Sequence, residues 1–237
     1  MTGSGPVIPN FGNASRCVTE NHWFCPSWVS QNWHGTLEPA LVQHVKLTAI
    51  AVSIGFAIAF LAALAAYRFR RLDQPIGLAS DFLYTIPSLA LFQILVPYTG
   101  LGWLTVEVGL VGYTLLILFR NILAGLRGVP DDVLEAGRGM GLTRHQILTR
   151  IELPLALPAI MAGIRIAVVT AISLATVAAY VTPLGLGQPI FYGLQSNFTT
   201  EFIATGALAV LLAITADLLL VGAQRLLTPW AGARRAR

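Results

Sequence analysis

Charge is what this sequence has least of. Its 237 residues include 15 Lys and Arg and 11 Asp and Glu, 11% of the chain, where a soluble domain carries about 25%. Hydrophobic residues make up 55% and the mean hydropathy is +0.70. So few charges cannot cover the surface of a soluble globular domain, and so much apolar surface excludes a disordered chain. Cysteine is as scarce. Cys17 and Cys25 are the only two, which excludes a disulfide-dense secreted scaffold. Catalytic constellations are missing too, and the four histidines, His22, His34, His44 and His145, are scattered. No G-x-x-x-x-G-K-[ST] string that would cradle nucleotide phosphates occurs. His22 between the two cysteines does not make a zinc ligand set, so no metal is expected. The net charge of +4 does not argue for nucleic acid, because the basic residues stand at the ends of apolar runs.

Those runs are what the sequence has in abundance. Five apolar stretches, 41–66, 76–98, 103–124, 155–181 and 202–227, reach the roughly 20 residues a helix needs to cross a bilayer. They are continuously apolar, not alternating, which argues against a β-barrel. The expected fold class is an all-α integral membrane protein with about five transmembrane helices. Arg68, Arg70 and Arg71 follow the first stretch, Arg127, Arg138, Arg144 and Arg150 follow the third, and Arg225, Arg234, Arg235 and Arg237 close the chain. Segments 97–102 and 182–200 hold no Lys or Arg. The positive-inside bias then places the N-terminus outside and the C-terminus inside. The expected organisation is an extracytoplasmic tail over 1–40, a membrane domain over 41–227 with a cytoplasmic loop at 125–154, and a basic cytoplasmic tail over 228–237. No basic-then-apolar leader is visible in the first 40 residues. The rings of Trp23, Phe24, Trp28 and Trp33 suit either the outer interface or a cap on the protein. An exported tail permits disulfides, so Cys17 and Cys25 are predicted to pair.

Within the spans, ionisable groups are costly and usually pair or line a cavity. Asp81, Arg120, Arg165 and Asp217 are such groups. Arg165 and Asp217 lie about ten residues from the same end of their spans. At about 1.5 Å per residue they reach a similar depth and are predicted to form an intramembrane ion pair, with Asp81 as the rival partner. Arg120 is near enough to its helix end to snorkel. Small residues recur every fourth position at Ala51, Gly55, Ala59 and Ala63, and at Ala159, Gly163, Ala167, Ala171, Ala175 and Ala179. Such faces let helix backbones approach closely, within the subunit or with a second one. Pro87 interrupts the second stretch, as a hinge or as a static kink. Phe82, Tyr84, Pro87, Ser88 and Phe92 lie around that interruption and are candidates for lining a path through the membrane.

The loop at 125–154 reads as two short helices joined by a glycine elbow. Pro130 and Asp131 suit a helix start, and Asp132 with Glu135 has capping-box spacing. Val133, Leu134, Ala136 and Met140 form an apolar stripe. Gly139 and Gly141 stop the helix. Thr143 and Gln146 form a second capping box, and Ile147, Leu148 and Ile151 a second stripe. Pro154 marks the junction into the fourth span. Such a surface hairpin is either a solvated loop or a docking knob for a partner.

Glu135-Ala136-Gly137, three residues, Gly141, nine residues and Ile151-Glu152-Leu153-Pro154 resemble the EAA loop of binding-protein-dependent ABC importer permeases. Gly137 is the one departure, standing where alanine is usual. Arg120-Asn121, Thr85-Ile86-Pro87-Ser88-Leu89-Ala90-Leu91, residues 153–165 and Leu184-Gly185-Leu186-Gly187 are similar to the osmoprotectant (glycine betaine, carnitine, choline) permeases. The resemblance covers roughly 41–227. It implies a type I importer permease in a bacterial or archaeal cell membrane, a translocation subunit and not an enzyme. It further implies a second permease, identical or paralogous, an extracytoplasmic solute-binding protein, and an ABC ATPase dimer. ATP and Mg would be bound by that partner. Glu135, Ala136, Gly137, Gly141, Ile151, Leu153 and Pro154 would form the coupling contact. Other substrates such as an amino acid, or a stand-alone channel or secondary transporter, stay open.

Overall fold

The computed structural model describes residues 16–230. Arg234, Arg235 and Arg237, and the first 15 residues of the tail, lie outside the described residues. The elements are α1 (Arg16–Thr19), α2 (Pro26–Asn32), α3 (Glu38–Arg68), α4 (Asp73–Thr85), α5 (Ser88–Thr99), α6 (Trp103–Arg127), α7 (Asp131–Gly139), α8 (Arg144–Ile147), α9 (Leu153–Ala178), α10 (Gly187–Gln195) and α11 (Thr199–Leu227). There is no strand among the described residues. Four helical stretches are long and apolar enough to cross a membrane: Pro26–Arg68, Trp103–Arg127, Arg144–Ala178 and Thr199–Leu227.

The stretch at 76–98 is not one continuous helix. It breaks into α4 and α5, and counts as a fifth span only if the broken pair is taken together. The cause is local. Ile86 precedes a proline and is held extended, at φ −68° and ψ 126°. Its carbonyl, left without a helical partner, accepts the hydroxyl of Tyr113, whose ring meets Tyr84 edge-on at 5.8 Å. Pro87 therefore ends a helix where the sequence suggested a kink.

Two other prolines are absorbed without a break. π-helical turns at Trp33–Leu37 and Leu148–Glu152 precede Pro39 and Pro154 by the same two residues. Each proline ring would crowd the carbonyl four residues back. Here that carbonyl, of Gly35 or Arg150, sits mid-way along the widened turn, which gives it room. Two consequences differ from the sequence reading. The first membrane helix continues back through the tail to Pro26, and Pro154 lies inside a helix that runs unbroken from Arg144 to Ala178.

The chain forms two compact units, whose boundaries fall within α3, α6, α9 and α11. One unit holds Ile50–Pro87, Leu110–Ala171 and the described residues from Ile214 on. Its core sets Leu118, Phe119, Ile122 and Leu126 of α6 against Ala59, Ala63 and Ala66 of α3 and Ala156, Ile160 and Ala167 of α9. The small faces are thus used inside the subunit. A Cβ on Gly55 would lie 2.2 Å from Thr114 Oγ1, and one on Gly163 would lie 2.5 Å from Asn121 Cβ. Lipid tails are as apolar as these side chains, so close packing stabilises the contacts more than apolar burial does.

The other unit holds the described residues up to Ala49, with Ser88–Gly109 and Ile172–Ala213. Here the tail forms a small cap. Cys17 and Cys25 are joined by a disulfide with Cα atoms 5.8 Å apart. Asn21 and Asn197, both left-handed at φ 52° and 54°, head two facing turns. Asn21 donates to the Asn197 carbonyl at 2.7 Å and accepts from the Thr199 amide at 2.9 Å. Thr200 donates to the His22 carbonyl at 2.8 Å, and Trp28 meets Phe198 edge-on at 5.3 Å. Trp23 and Phe24 remain exposed.

Candidate functional site: a coupling hairpin and its ion-pair supports

The hairpin is built from α7 and α8. Helix α7 starts at Asp131 behind an N-cap Pro130 that makes no side-chain cap bond. Asp132 does not cap it, despite the spacing to Glu135. Asp131 and Asp132 instead both fall in the first turn, where the positive end of the helix dipole favours acids. The helix ends in a Schellman motif. Gly141 is left-handed at φ 78°, its amide donates to the Arg138 carbonyl at 2.9 Å, and the Leu142 amide reaches back to the Gly137 carbonyl at 3.1 Å. Two residues later Thr143 caps α8 in a reciprocal box with Gln146: the Thr143 amide donates to Gln146 Oε1 at 2.8 Å.

One face of the hairpin packs inward. Leu134 and Ile147 are buried with Val129, and Leu142, Ile151 and Leu155 lean on them. Gly137 is buried among them, since a Cβ there would fall 2.7 Å from Ile151 Cδ1. Of the first expected stripe, Val133 is half-buried and Leu134 buried, while Ala136 and Met140 are exposed. The inward face follows Leu134 and Gly137, three apart, and this rotates Ala136 outward. Glu135, Ala136, Arg138, Met140 and Gly141 accordingly form an exposed knob. Ile151, Leu153 and Pro154 are half-buried supports beneath it. Glu152, between them, is buried and accepts the Tyr67 hydroxyl from the end of α3 at 2.7 Å. Sequence reasoning missed this bond, because no spacing rule joins residues 85 apart.

Ion pairs brace the same unit. Arg165 Nε and Nη2 reach Asp217 Oδ1 and Oδ2 at 2.8 and 3.0 Å, a bidentate pair between α9 and α11. Asp81 is taken by Arg120 at 2.7 Å, and Asp73 by Arg127 at 2.7 Å. Arg120 therefore does not merely snorkel, and Asp81 is not a competitor for Arg165. Gly77 lies between the two acids on α4, and a Cβ on it would come 3.2 Å from the Arg120 guanidinium. The absent side chain lets that arginine lie across the helix. Two further acids stand within the long helices, Glu107 of α6 and Glu201 of α11, both buried.

Asp217→Asn keeps the shape and removes half of the bidentate pair. It is expected to lower the yield and thermal stability of the detergent-purified protein, and the exchange Arg165→Asp with Asp217→Arg is expected to recover most of the loss. If both variants behave as wild type, the pair contributes nothing to the fold.

The path candidates fall in different units. Phe82, Tyr84 and Pro87 are exposed in one. In the other, Ser88 is half-buried and Phe92 is fully buried against Gly109, whose Cβ would stand 2.4 Å from the Phe92 ring. Phe92 thus offers no surface for a solute to touch.

Residues 51–232 match the family described as "Binding-protein-dependent transport system inner membrane component". The chain is 38% identical to the "Choline transport system permease protein OpuBB" of Bacillus subtilis (strain 168), over 81% of this chain and 88% of that protein. It is 36% identical to the "Carnitine transport permease protein OpuCB" of Listeria monocytogenes, over 86% and 93%. Among solved structures, a chain of the inward-facing MetNI methionine ABC transporter has the same fold. Its TM-score is 0.70 at 22% identity, covering 78% of this chain and 93% of that one.

Proposed function

The chain belongs to the family of binding-protein-dependent transport system inner membrane components, and from that premise we propose that it is the translocation subunit of an ATP-driven importer of quaternary-amine osmoprotectants. Choline and carnitine are the solutes named for its relatives. The single observation that carries the coupling part is the shape of the hairpin. An exposed knob, Glu135 to Gly141, is joined through the Schellman turn and the Thr143 capping box to α8, from which the helix runs unbroken from Arg144 to Ala178.

The mechanism follows from that continuity. Nucleotide and Mg bind a separate ATPase dimer, which closes on ATP and moves the knob seated in it. The Schellman turn and the capping box keep α7 and α8 in one geometry, so displacement passes into α9 instead of being absorbed by the elbow. The Tyr67–Glu152 bond ties the same rod to α3, and Arg165–Asp217 ties it to α11. The basic ends of the spans face the cytoplasm with the ATPase. The disulfide-stapled cap faces the extracytoplasmic solute-binding protein, and a second permease completes the path.

The test is uptake of labelled choline, carnitine, glycine betaine and an amino acid by vesicles holding the complex that copurifies with this chain. Uptake of the quaternary amines, dependent on ATP and on a copurifying ATPase, is expected. Glu135→Lys reverses the charge where the knob presents a carboxylate, and should leave ATP hydrolysis running while uptake stops. Normal uptake by that variant, or transport with no ATPase present, overturns the coupling role. Uptake of the amino acid alone overturns the substrate class.

A further inference from the structure

Beside the hairpin, reached by Arg138 of the exposed knob, lies a cleft of about 690 Å³. Arg68, Arg70, Arg127, Arg138, Arg144 and His145 line it, against two acids, Asp131 and Glu152. Much of that charge is already answered elsewhere. Glu152 takes the Tyr67 hydroxyl, Arg127 is held by Asp73, and Arg68 lies over the Phe69 ring at 5.3 Å. Arg70, Arg138 and Arg144 are left with no carboxylate within 4.0 Å among the described residues. Three guanidiniums gathered around one cavity repel each other unless an anion with several oxygens lies between them, and the planar guanidinium fork suits phosphate.

The position indicates the source of that anion. The cleft opens where α3 and α6 end, at Arg68 and Arg127, the level at which a spanning helix meets lipid headgroups. Leu64 is part of its wall, and the flanking Phe69 and Leu72 are 57% and 39% exposed, an apolar edge fit for an acyl chain. An acidic segment of a partner protein is the other conceivable occupant, but the lining disfavours it. From α7 the cleft takes Asp131, Leu134 and Arg138, one face of the helix. The outward Glu135, Ala136 and Met140 are not among its walls.

We propose that this cleft binds the phosphodiester headgroup of an anionic phospholipid. The headgroup bridges Arg70, next to the end of α3, to Arg138 and Arg144 of the hairpin. It thereby fixes the hairpin against its own membrane and makes its position sensitive to the charge of the surrounding lipid.

The test measures lipid affinity and needs no transport assay, so its failure is separate from any failure of the importer reading. The full chain, with whatever copurifies, is placed in phosphatidylcholine discs. Phosphatidylglycerol is titrated in, and the bound lipid is counted by native mass spectrometry. Arg70→Gln, Arg138→Gln and Arg144→Gln should each weaken binding about fivefold, and the triple variant roughly a hundredfold. Arg150→Gln, in the same loop but outside the cleft, should leave lipid affinity unchanged. The triple lysine variant keeps the charge and should retain most of the affinity. Unchanged affinity in the triple glutamine variant overturns the proposal, and so does an equal loss in the triple lysine variant. Displacement of the lipid by millimolar inorganic phosphate would show a site for the free ion. Loss of the copurifying ATPase with lipid retained would show a protein seat. Either of these results also overturns it.

Discussion

Gly141→Val will abolish coupled uptake while leaving the membrane helices folded. Gly141 is left-handed at φ 78°, a conformation that costs an L-residue about 1–2 kcal/mol and a β-branched one more. The valine can escape only by giving up the two backbone bonds that close the Schellman turn, each worth about 1 kcal/mol. The nine residues of α7 are too few to stand as a helix by themselves, so a loss of about 2–4 kcal/mol opens the elbow. The spans do not depend on that turn. Normal yield is expected, with solute-dependent uptake reduced at least about tenfold, the effect of a mere 1.4 kcal/mol. Gly137→Ala is the control. Its Cβ meets the flexible end of Ile151, which can turn aside, and alanine improves helix propensity by about 1 kcal/mol. It should transport as well as wild type. Wild-type uptake by Gly141→Val would mean that the elbow bears no force.

The contrast between those two glycines also marks how far a sequence can be read here. The hydropathy pattern and the loop composition disclosed the spans, the hairpin, its elbow and the Thr143–Gln146 box, because each depends on residues a few positions apart. The same local logic put the helix start correctly at Pro130 and Asp131, but the capping-box spacing of Asp132 and Glu135 goes unused, since a spacing alone fits more than one register. It took Pro154 for a junction, because the π turn that absorbs a proline has no sequence signal of its own. Pro87 carried a signal for a break, but its severity depends on Tyr113 being available to donate its hydroxyl proton to the freed Ile86 carbonyl. The depth argument brought Arg165 and Asp217 to one level. It could not have paired Asp81 with Arg120, because one of that pair lies in a broken span whose geometry the sequence leaves open.

His44 was also invisible in the sequence, and its replacement is expected to be the most damaging in its unit. The side chain is fully buried and both ring nitrogens are engaged. Nε2 donates to the Ile172 carbonyl of α9 at 3.1 Å, and Nδ1 accepts from the Leu186 amide at 3.2 Å. Its neighbour Gln43 accepts from the Gly185 amide at 2.8 Å. Together they hold the turn that leads into α10. That turn needs glycine twice. Gly185 is left-handed at φ 60°, with the position of a Cβ only 2.8 Å from His44 Nδ1, and a Cβ on Gly187 would fall 2.3 Å from the Thr176 carbonyl oxygen. His44→Leu fills the volume but strands a buried carbonyl and a buried amide, at about 1–3 kcal/mol each. Ile172 and Leu186 are themselves buried, so water does not reach the two groups to relieve them. A large fall in melting temperature and yield follows, with uptake lost. His44→Gln can still donate to Ile172 but cannot reach back to Leu186, so it should lie between leucine and wild type. Gly185→Ala disrupts the same contact from the other side. If His44 and this turn form one unit, His44→Leu adds less to a Gly185→Ala background than to wild type. Full additivity of the two losses would show that the histidine packs independently of the turn, and its two bonds would then not be what holds α10 in place.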